Sequence, residues 1–531
     1  MSVIYSSVVN ELATNGKHRT ISIGGRTEKR LVALPMRQAK QQVFLPTTRL
    51  LNAENVNTNM FSTTSKQTIT IRRGDIDSVK HLLAKITINV VGAPVVLAAL
   101  PLWFAQIDLR SSSDNALIST AYGDSTMANL LTMVTAGKTK ALFKTLNIDS
   151  TQFGYLGTTN ALAPGQYIFF LPLFQNSVIG NFSGIHLADA TSDLNFDFTP
   201  NNPIVSGSGS ITLQNFQFVV EATKLADADI AIYRNRYKTY STECIFLDPI
   251  ITPFTAKPLT AGAINYFNLL PVTGLCSHQM LVVRQSGAAN NNNNNASFNW
   301  LNVGDNEGAA IDLVDANQTS LLGAGNPIST KFLRSHQSAD VSDNSFIPTK
   351  PCYYVSYCDD IRHSLQGVIK GGFMFESSNV QLALTLPAAP VQEVQTVSFS
   401  AAPSTSGFCH FSFRGEISAD IPSTASPAVI ASTLQSMKTF QAQFITVTAS
   451  ASLTAGTSVT LTFTHPATSG LEGDLVRVVG DNLGSAALTT RTVAGTAGLA
   501  SGQYDVLVYS YLYKDGSYLA GRLRSDLHMC S

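Results

Sequence analysis

The side chains with chemical potential are few and scattered. Cys352 and Cys358 lie on strand-like sequence near His363, but structural zinc takes four ligands at tighter spacing, so no metal site is assigned there. Asp305, Glu307, Asp312 and Asp315 make an acidic loop; calcium could use such a loop, and a solvated loop is the simpler reading. His278, His336, His410 and His465 have no partner pattern and are expected to be structural. Arg73-Gly74-Asp75 matches a cell-attachment tripeptide, but three common residues in a row carry little weight. Asn181, Asn295 and Asn317 fit the glycosylation sequon, with nothing else pointing to secretion. There is no Gly-x-Ser-x-Gly elbow, phosphate-binding loop, His-Glu-x-x-His or Cys-x-x-Cys. No catalytic, cofactor or metal residue is therefore nominated. A polysaccharide-cleaving enzyme would need two facing carboxylates, and the sequence offers only scattered acids.

The elements that would position any site are strands. Tyr353, Val355 and Tyr357 share one face of a short segment. Phe373 and Phe375 flank Met374, and Val380, Leu382, Leu384 and Leu386 alternate with Gln381, Ala383 and Thr385. Period-two alternation marks strands with one face buried. The same pattern recurs earlier, at Ala84–Val90 and Trp103–Leu109. Tyr167–Phe174 contains Pro172, which predicts an edge strand or a bulge. In Ile211–Val220 the alternation changes face between Leu213 and Phe216, which predicts a bulge. Ser125–Thr145 reads as a helical excursion, and Phe298–Val303 as a strand.

The chain has 531 residues, room for several domains. Charged residues make up 13%, against roughly 25% in ordinary soluble domains. Hydrophobic residues make up 44%. Uncharged polar groups thus replace surface charge, as in β-rich proteins with large interfaces. Lys plus Arg equals Asp plus Glu at 35 each, so net charge points to neither nucleic acid nor membrane. The first residues hold no apolar core of signal-peptide length, so the six cysteines are expected as free thiols in a reducing compartment.

Four segments follow. Residues 1–45 form a basic arm: Lys17, Arg19, Arg26, Lys29, Arg30, Arg37 and Lys40 face only Glu11 and Glu28. A short helix is expected at Ser2–Ala13. Residues 46–240 and 241–390 are two comparable β units. Residues 391–531 are expected to be a small accessory β domain with one helix, Ser426–Met437. That helix has a Ser N-cap, Pro at its first position and an apolar face of Val429, Ile430, Leu434 and Met437. The fold class is all-β, with two eight-stranded jelly rolls in tandem and a small C-terminal β-rich domain.

Landmarks in residues 46–390 resemble the double jelly-roll major capsid proteins of tailless phages with an internal membrane, the tectivirus–adenovirus lineage. They are Val79–Thr87, then Ile245-Phe246-Leu247-Asp248-Pro249-Ile250 with Tyr266–Pro271. Phe346-Ile347-Pro348, Cys352-Tyr353-Tyr354, Tyr357-Cys358-Asp359 and Gly367–Phe373 complete the order. The resemblance implies a non-enzymatic homotrimer with a pseudo-hexagonal outline, assembling into an icosahedral shell with neighbouring capsomers, penton and minor capsid proteins. It implies a virion location after synthesis in the host cytoplasm. It also turns the basic arm inward, towards an internal membrane or the genome. The accessory domain departs from the family; a similar β/α module is common in phage structural proteins, and an outer protrusion is expected. The alternative is a phage spike, fibre or adhesin binding a host-surface glycan, with an aromatic-lined cleft near Tyr504–Tyr518.

Overall fold

The computed structural model describes residues 20–23, 26–29, 45–133, 162–224, 241–286, 300–333, 352–464 and 475–527, apart from short stretches inside those ranges. The first unit is a sandwich of two antiparallel sheets. Its strands are β1 (Leu45–Asn52), β2 (Gln67–Ile71), β3 (Ser78–Val91), β4 (Phe104–Ser111), β5 (Leu117–Tyr122), β6 (Gly165–Pro172), β7 (Leu194–Pro200) and β8 (Ser210–Lys224). One sheet runs β1-β8-β3-β6 and the other β2-β7-β4-β5. Alternate residues of each strand meet between the sheets: Ala84, Ile86, Ile88 and Val90 from β3, Phe196 and Phe198 from β7, Phe216 and Phe218 from β8. The phenylalanines pack edge to face, with Phe198 and Phe216 centroids 4.7 Å apart, an arrangement that favours aromatic pairs beyond area alone.

The expected bulge is present. β8 pairs β3 with a register shift between Leu213 and Asn215, leaving Gln214 exposed. β6 borders its sheet through β3, and Pro172 sits at its end opposite Leu83. The helical excursion begins as α1 (Gly123–Met133); residues 134–145 lie outside the described residues.

The second unit repeats this topology. Its strands are β9 (Ser241–Leu259), β10 (Ile264–Asn268), β11 (Gly274–Gln285), β12 (Ala310–Val314), β13 (Ile328–Ser329), the pair β14 (Tyr353–Ser356) and β15 (Phe373–Phe375), and β16 (Gln381–Thr385). One sheet runs β10-β16-β12-β13, the same order as β2-β7-β4-β5. The other lacks its central strand until the chain returns much later.

That return corrects the expected boundary at residue 390. Between β16 and the return lie β17 (Glu393–Phe399), β18 (Phe408–Phe413), α2 (Pro427–Ser436), β19 (Thr446–Ala449), β20 (Ser458–Thr464), β21 (Arg477–Asp481) and β22 (Ala487–Val493). Then β23 (Gly502–Leu519) pairs β9 from Ser241↔Tyr518 to Leu259↔Gly502, and pairs β11 from Cys276↔Leu512 to Gln285↔Tyr504. The sheet order becomes β9-β23-β11-β14, matching β1-β8-β3-β6. The accessory unit is thus an insertion between the last two strands of the second roll, and residues 502–519 belong to that roll. The reason is bonding: both central neighbours of β23 would otherwise present unpaired backbone groups in a buried sheet.

The insertion has a core of its own, built on Val397, Phe411, Phe413, Ile430, Leu434, Phe440, Leu461 and Phe463. Ser426 caps α2 by accepting from the Val429 amide at 3.4 Å. Ile430 and Leu434 are buried as expected, whereas Val429 is exposed, because the apolar stripe is narrower than the sequence reading drew it. Of the strand expected at Phe298–Val303, Phe298, Asn299 and Asn302 lie outside the described residues; Trp300, Leu301 and Val303 are buried outside any strand, Leu301 N donating to Val283 O at 2.7 Å. Within the arm, Thr20–Ile23 pairs antiparallel with Arg26–Lys29; Lys17, Arg19, Arg30, Arg37 and Lys40, and the helix expected at Ser2–Ala13, lie outside the described residues.

Candidate assembly interface

The candidate surface is the buried contact between the two rolls. β23 reads Tyr504-Asp-Val-Leu-Val-Tyr-Ser-Tyr-Leu-Tyr513, apolar on both faces. Val506, Val508 and Leu512 enter the second roll's core. Tyr509, Tyr511 and Tyr513 face the other way and join the cluster centred on the first roll, with Met280, Val282 and Tyr354. A sheet covered on both faces must find a partner for each buried polar group, and the first roll supplies many of them.

β5 is the edge strand of its sheet, and an edge presents unpaired backbone groups. Asp248 on β9 covers it: Oδ1 accepts from the Thr120 amide at 3.0 Å and from Ser119 Oγ at 2.8 Å. Lys514 Nζ on β23 donates to Asp248 Oδ2 at 2.6 Å. Immediately after β5 the chain turns into α1 at Gly123, where a Cβ would collide with the carbonyl oxygens of Phe104 and Pro101. The tight turn aims the first residues of α1 at the second roll. Asp124 Oδ1 accepts from Trp300 Nε1 at 2.9 Å, Oδ2 accepts from Tyr509 OH at 3.0 Å, and an Arg284 nitrogen lies 3.4 Å from Oδ2. Ser125 Oγ and Tyr511 OH are 2.7 Å apart, and the Tyr122 and Tyr509 rings pack at 5.6 Å.

The electrostatics follow from burial. Burial and then the Asp124 carboxylate hold the Tyr509 phenol well above its ordinary range. Burial, then Asp248 and Asp108, push Tyr122 up to about 12. Burial works against the Arg284 charge, but Asp124, with Tyr509 and Asp505, outweighs it and the shift is upward. His278 is wholly buried, with its ring stacked on Tyr511 at 4.2 Å and 17°. Its Nδ1 lies 3.2 Å from Ser277 Oγ, and its Nε2 has no hydrogen-bond partner among the described residues. Burial lowers its pKa to about 3, so the ring is neutral at ordinary pH.

The described candidates from sequence do not converge. Cys352 is buried beside the inter-roll cluster, Cys358 Sγ lies 3.2 Å from Ser277 Oγ, and His363 lies outside the described residues. Cys276, Cys352, Cys358 and Cys409 form no disulfide. Asp312 accepts from its own neighbour's amide, Leu313 N, at 2.8 Å and from Ser320 Oγ at 2.9 Å. Asp315 Oδ1 accepts from the Asn317 and Thr319 amides at 2.8 Å; Asp305 and Glu307 lie outside the described residues. Among the described residues no group of three His, Cys, Asp or Glu is placed to hold a metal. His410 pairs with Asp420 at 3.4 Å on the surface; His336, His465, Asn181, Asn295, Gly74 and Asp75 lie outside the described residues. The aromatic cleft expected near Tyr504–Tyr518 is absent at Tyr509, Tyr511 and Tyr513, because these rings are buried between the rolls.

Sequence reasoning gave no partner to Asp124, Asp248, Trp300 or Lys514; Asp248 entered only as a landmark and Trp300 only as part of an expected strand. The usable signal was the two-sided apolar run of β23, which requires a layer on each face.

No protein-family model matches the chain, and no curated protein matches it. Among solved structures it is similar to the PBCV-1 virus capsid, at 11% identity and TM-score 0.55, covering 92% of this chain and 98% of that one. PBCV-1 VP54, fitted into a reconstruction of the virophage Sputnik, gives 11% identity and TM-score 0.54 over the same shares. The Faustovirus major capsid protein is a weaker neighbour, at 8% identity and TM-score 0.45, over 65% and 87%. The likeness is one of fold, the double jelly roll of viral capsid proteins.

Proposed function

We propose that this chain, with its double jelly-roll fold, is a major capsid protein that trimerises into pseudo-hexagonal capsomers and builds an icosahedral shell. The observation that carries the reading is the union of two rolls of identical strand order through a buried contact, within a fold that aligns over 92% of the chain with a virus capsid subunit. The role is structural rather than enzymatic. The subunit's partners are its own copies, then neighbouring capsomers and the penton and minor capsid proteins. A phage virion is the setting we favour, with synthesis in the host cytoplasm. The basic arm, with Lys17, Arg19, Arg26, Lys29, Arg30, Arg37 and Lys40, faces an internal membrane or the genome. The unit inserted between β16 and β23 stands on the outer surface.

Sedimentation of the purified chain, with negative-stain images of the same sample, tests this. A particle of three times 56.8 kDa with a hexagonal outline is the expected result. A monomer at all concentrations, or an elongated trimer with a narrow tip, would refute it and bring forward the spike reading.

A further inference from the structure

The second roll is closed by its first strand and its last, β9 and β23, with the whole inserted unit between them in sequence. In their ladder Phe246 pairs with Lys514 and Asp248 with Leu512. Lys514 and Asp248 are therefore diagonal neighbours on one face of the ladder, within reach of a lysine side chain. Lys514 Nζ lies 2.6 Å from Asp248 Oδ2, and the two side chains are 14% and 3% exposed.

The other carboxylate oxygen sets this pair apart from a plain ion pair. Oδ1 accepts from Ser119 Oγ and from the Thr120 amide, and both residues are buried on β5 of the first roll. One carboxyl carbon thus has an amine at one oxygen and two fixed donors at the other. The pairs of Arg284 with Asp124 and Arg491 with Glu393 have guanidinium partners. A guanidinium keeps its protons and is no nucleophile, whereas a lysine amine in a closed site is one.

We infer that Lys514 and Asp248 join covalently in the folded chain, Nζ forming an amide with the Asp248 carboxyl carbon and tying the first strand of the second roll to its last. The step balances without a co-reactant. Nζ hands one proton to Oδ2, leaving a neutral amine beside a neutral acid, so that no charge is held away from water. The amine electron pair attacks the carboxyl carbon. The C=O electrons move onto Oδ1, where Ser119 Oγ and the Thr120 amide hold the developing charge, as preorganised donors do in acyl transfer. A second nitrogen proton passes to Oδ2, the bond from carbon to Oδ2 breaks, and one water leaves. The amide keeps the third proton of the original ammonium. Reacting groups held in oriented contact gain effective molarities of about 10⁵ M or more. The bond is independent of what the chain assembles into. It closes a loop that includes the inserted unit, and so constrains the unfolded chain as a disulfide would.

The test takes the purified full chain into denaturant, measures its intact mass and then maps its protease fragments. The wild type is expected to be lighter by one water than its sequence requires. Its map should hold one branched fragment joining the segment around Asp248 to the segment around Lys514. Lys514→Arg keeps a cation beside Asp248 and should show the full mass and no branched fragment. A wild type at full mass overturns the inference. So does a water loss that persists in Lys514→Arg, because the neighbouring Asp515-Gly516 can lose water alone by closing to a succinimide. Should Lys514→Arg fail to fold, the wild-type map still decides: separate linear fragments for Asp248 and Lys514 overturn the inference.

Discussion

Replacing Asp124 tests the inter-roll contact at its centre. The carboxylate accepts from Trp300 Nε1 and Tyr509 OH and faces Arg284, whose side chain is 16% exposed. Hydrogen bonds to a charged group are worth about 1.5–3 kcal/mol each. Removing one partner of a buried pair costs about 3–5 kcal/mol, because the other charge is left uncompensated. Asp505 also acts on Arg284, which places Asp124→Ala at about 3–4 kcal/mol rather than at the sum. Asp124→Asn keeps one carbonyl acceptor and should lose about 2 kcal/mol. The chain has two tryptophans, and Trp103 lies in the first roll's core. In a Trp103→Phe background, fluorescence therefore reports Trp300 alone. Urea unfolding followed by that signal should move to lower denaturant in Asp124→Ala, with a fall of roughly 4–5 °C in the matching thermal transition. Adding Arg284→Met should recover about 1–3 kcal/mol, because the orphaned charge goes with it. A shift worth under about 1 kcal/mol, or strict additivity of the two changes, would refute the reasoning.

Three further outcomes are expected. Both ends of the insertion meet the turn between β9 and β10: Gly262 N donates to Pro387 O at 2.7 Å and Ala261 N to Ser501 Oγ at 3.0 Å. Replacing residues 391–497 by a short Gly-Ser linker should thus remove one calorimetric transition and leave the rolls' transition in place; loss of both would show that the insertion's core is not separate. Gly123→Ala should cost about 2 kcal/mol or more through its backbone clash, read as a lower melting temperature, whereas Gly456→Ala, with open space around its Cβ, should change little. His278 binds its proton only near pH 3 when folded, against an ordinary 6.5. Below pH 6.5 the unfolded chain therefore holds one more proton, and stability falls with acidity by about 1.4 kcal/mol per pH unit until pH 3. Between pH 7 and 5 the wild type should lose about 2 kcal/mol more than His278→Phe, which keeps the stack on Tyr511; equal losses would exclude His278 as the source.

The sequence carried the strands better than their membership. Alternation at Tyr353–Leu386 correctly placed Tyr353, Val355, Phe375, Leu382 and Leu384 in one core, since alternation is local and one face decides it. The face change between Leu213 and Phe216 located a bulge to within a residue. Membership failed at β23. Its ladder partner Cys244 lies opposite Gly516, across more than half the chain, and no local property of either segment names the other. The boundary expected at residue 390 marks where an insertion begins and not the end of the second roll. Nothing in period or composition separates those cases.

The interface was hidden for a related reason. Asp124, Asp248 and Lys514 are ordinary charged residues in an otherwise charge-poor chain, and each becomes informative only when its partner is known. Yet the low charge itself was a clue with a definite meaning. A chain that covers β5 with Asp248 and seats Tyr509 and Tyr511 on α1 cannot spread charges over that contact, since each buried charge needs its own counter-charge. It uses carboxylates singly, where edge amides or tyrosine hydroxyls await them, and fills the remainder with Ser, Thr, Tyr and aliphatic groups. The low share of charged residues, 13%, goes with that mode of packing, and the residues that break the rule mark where the layers are joined.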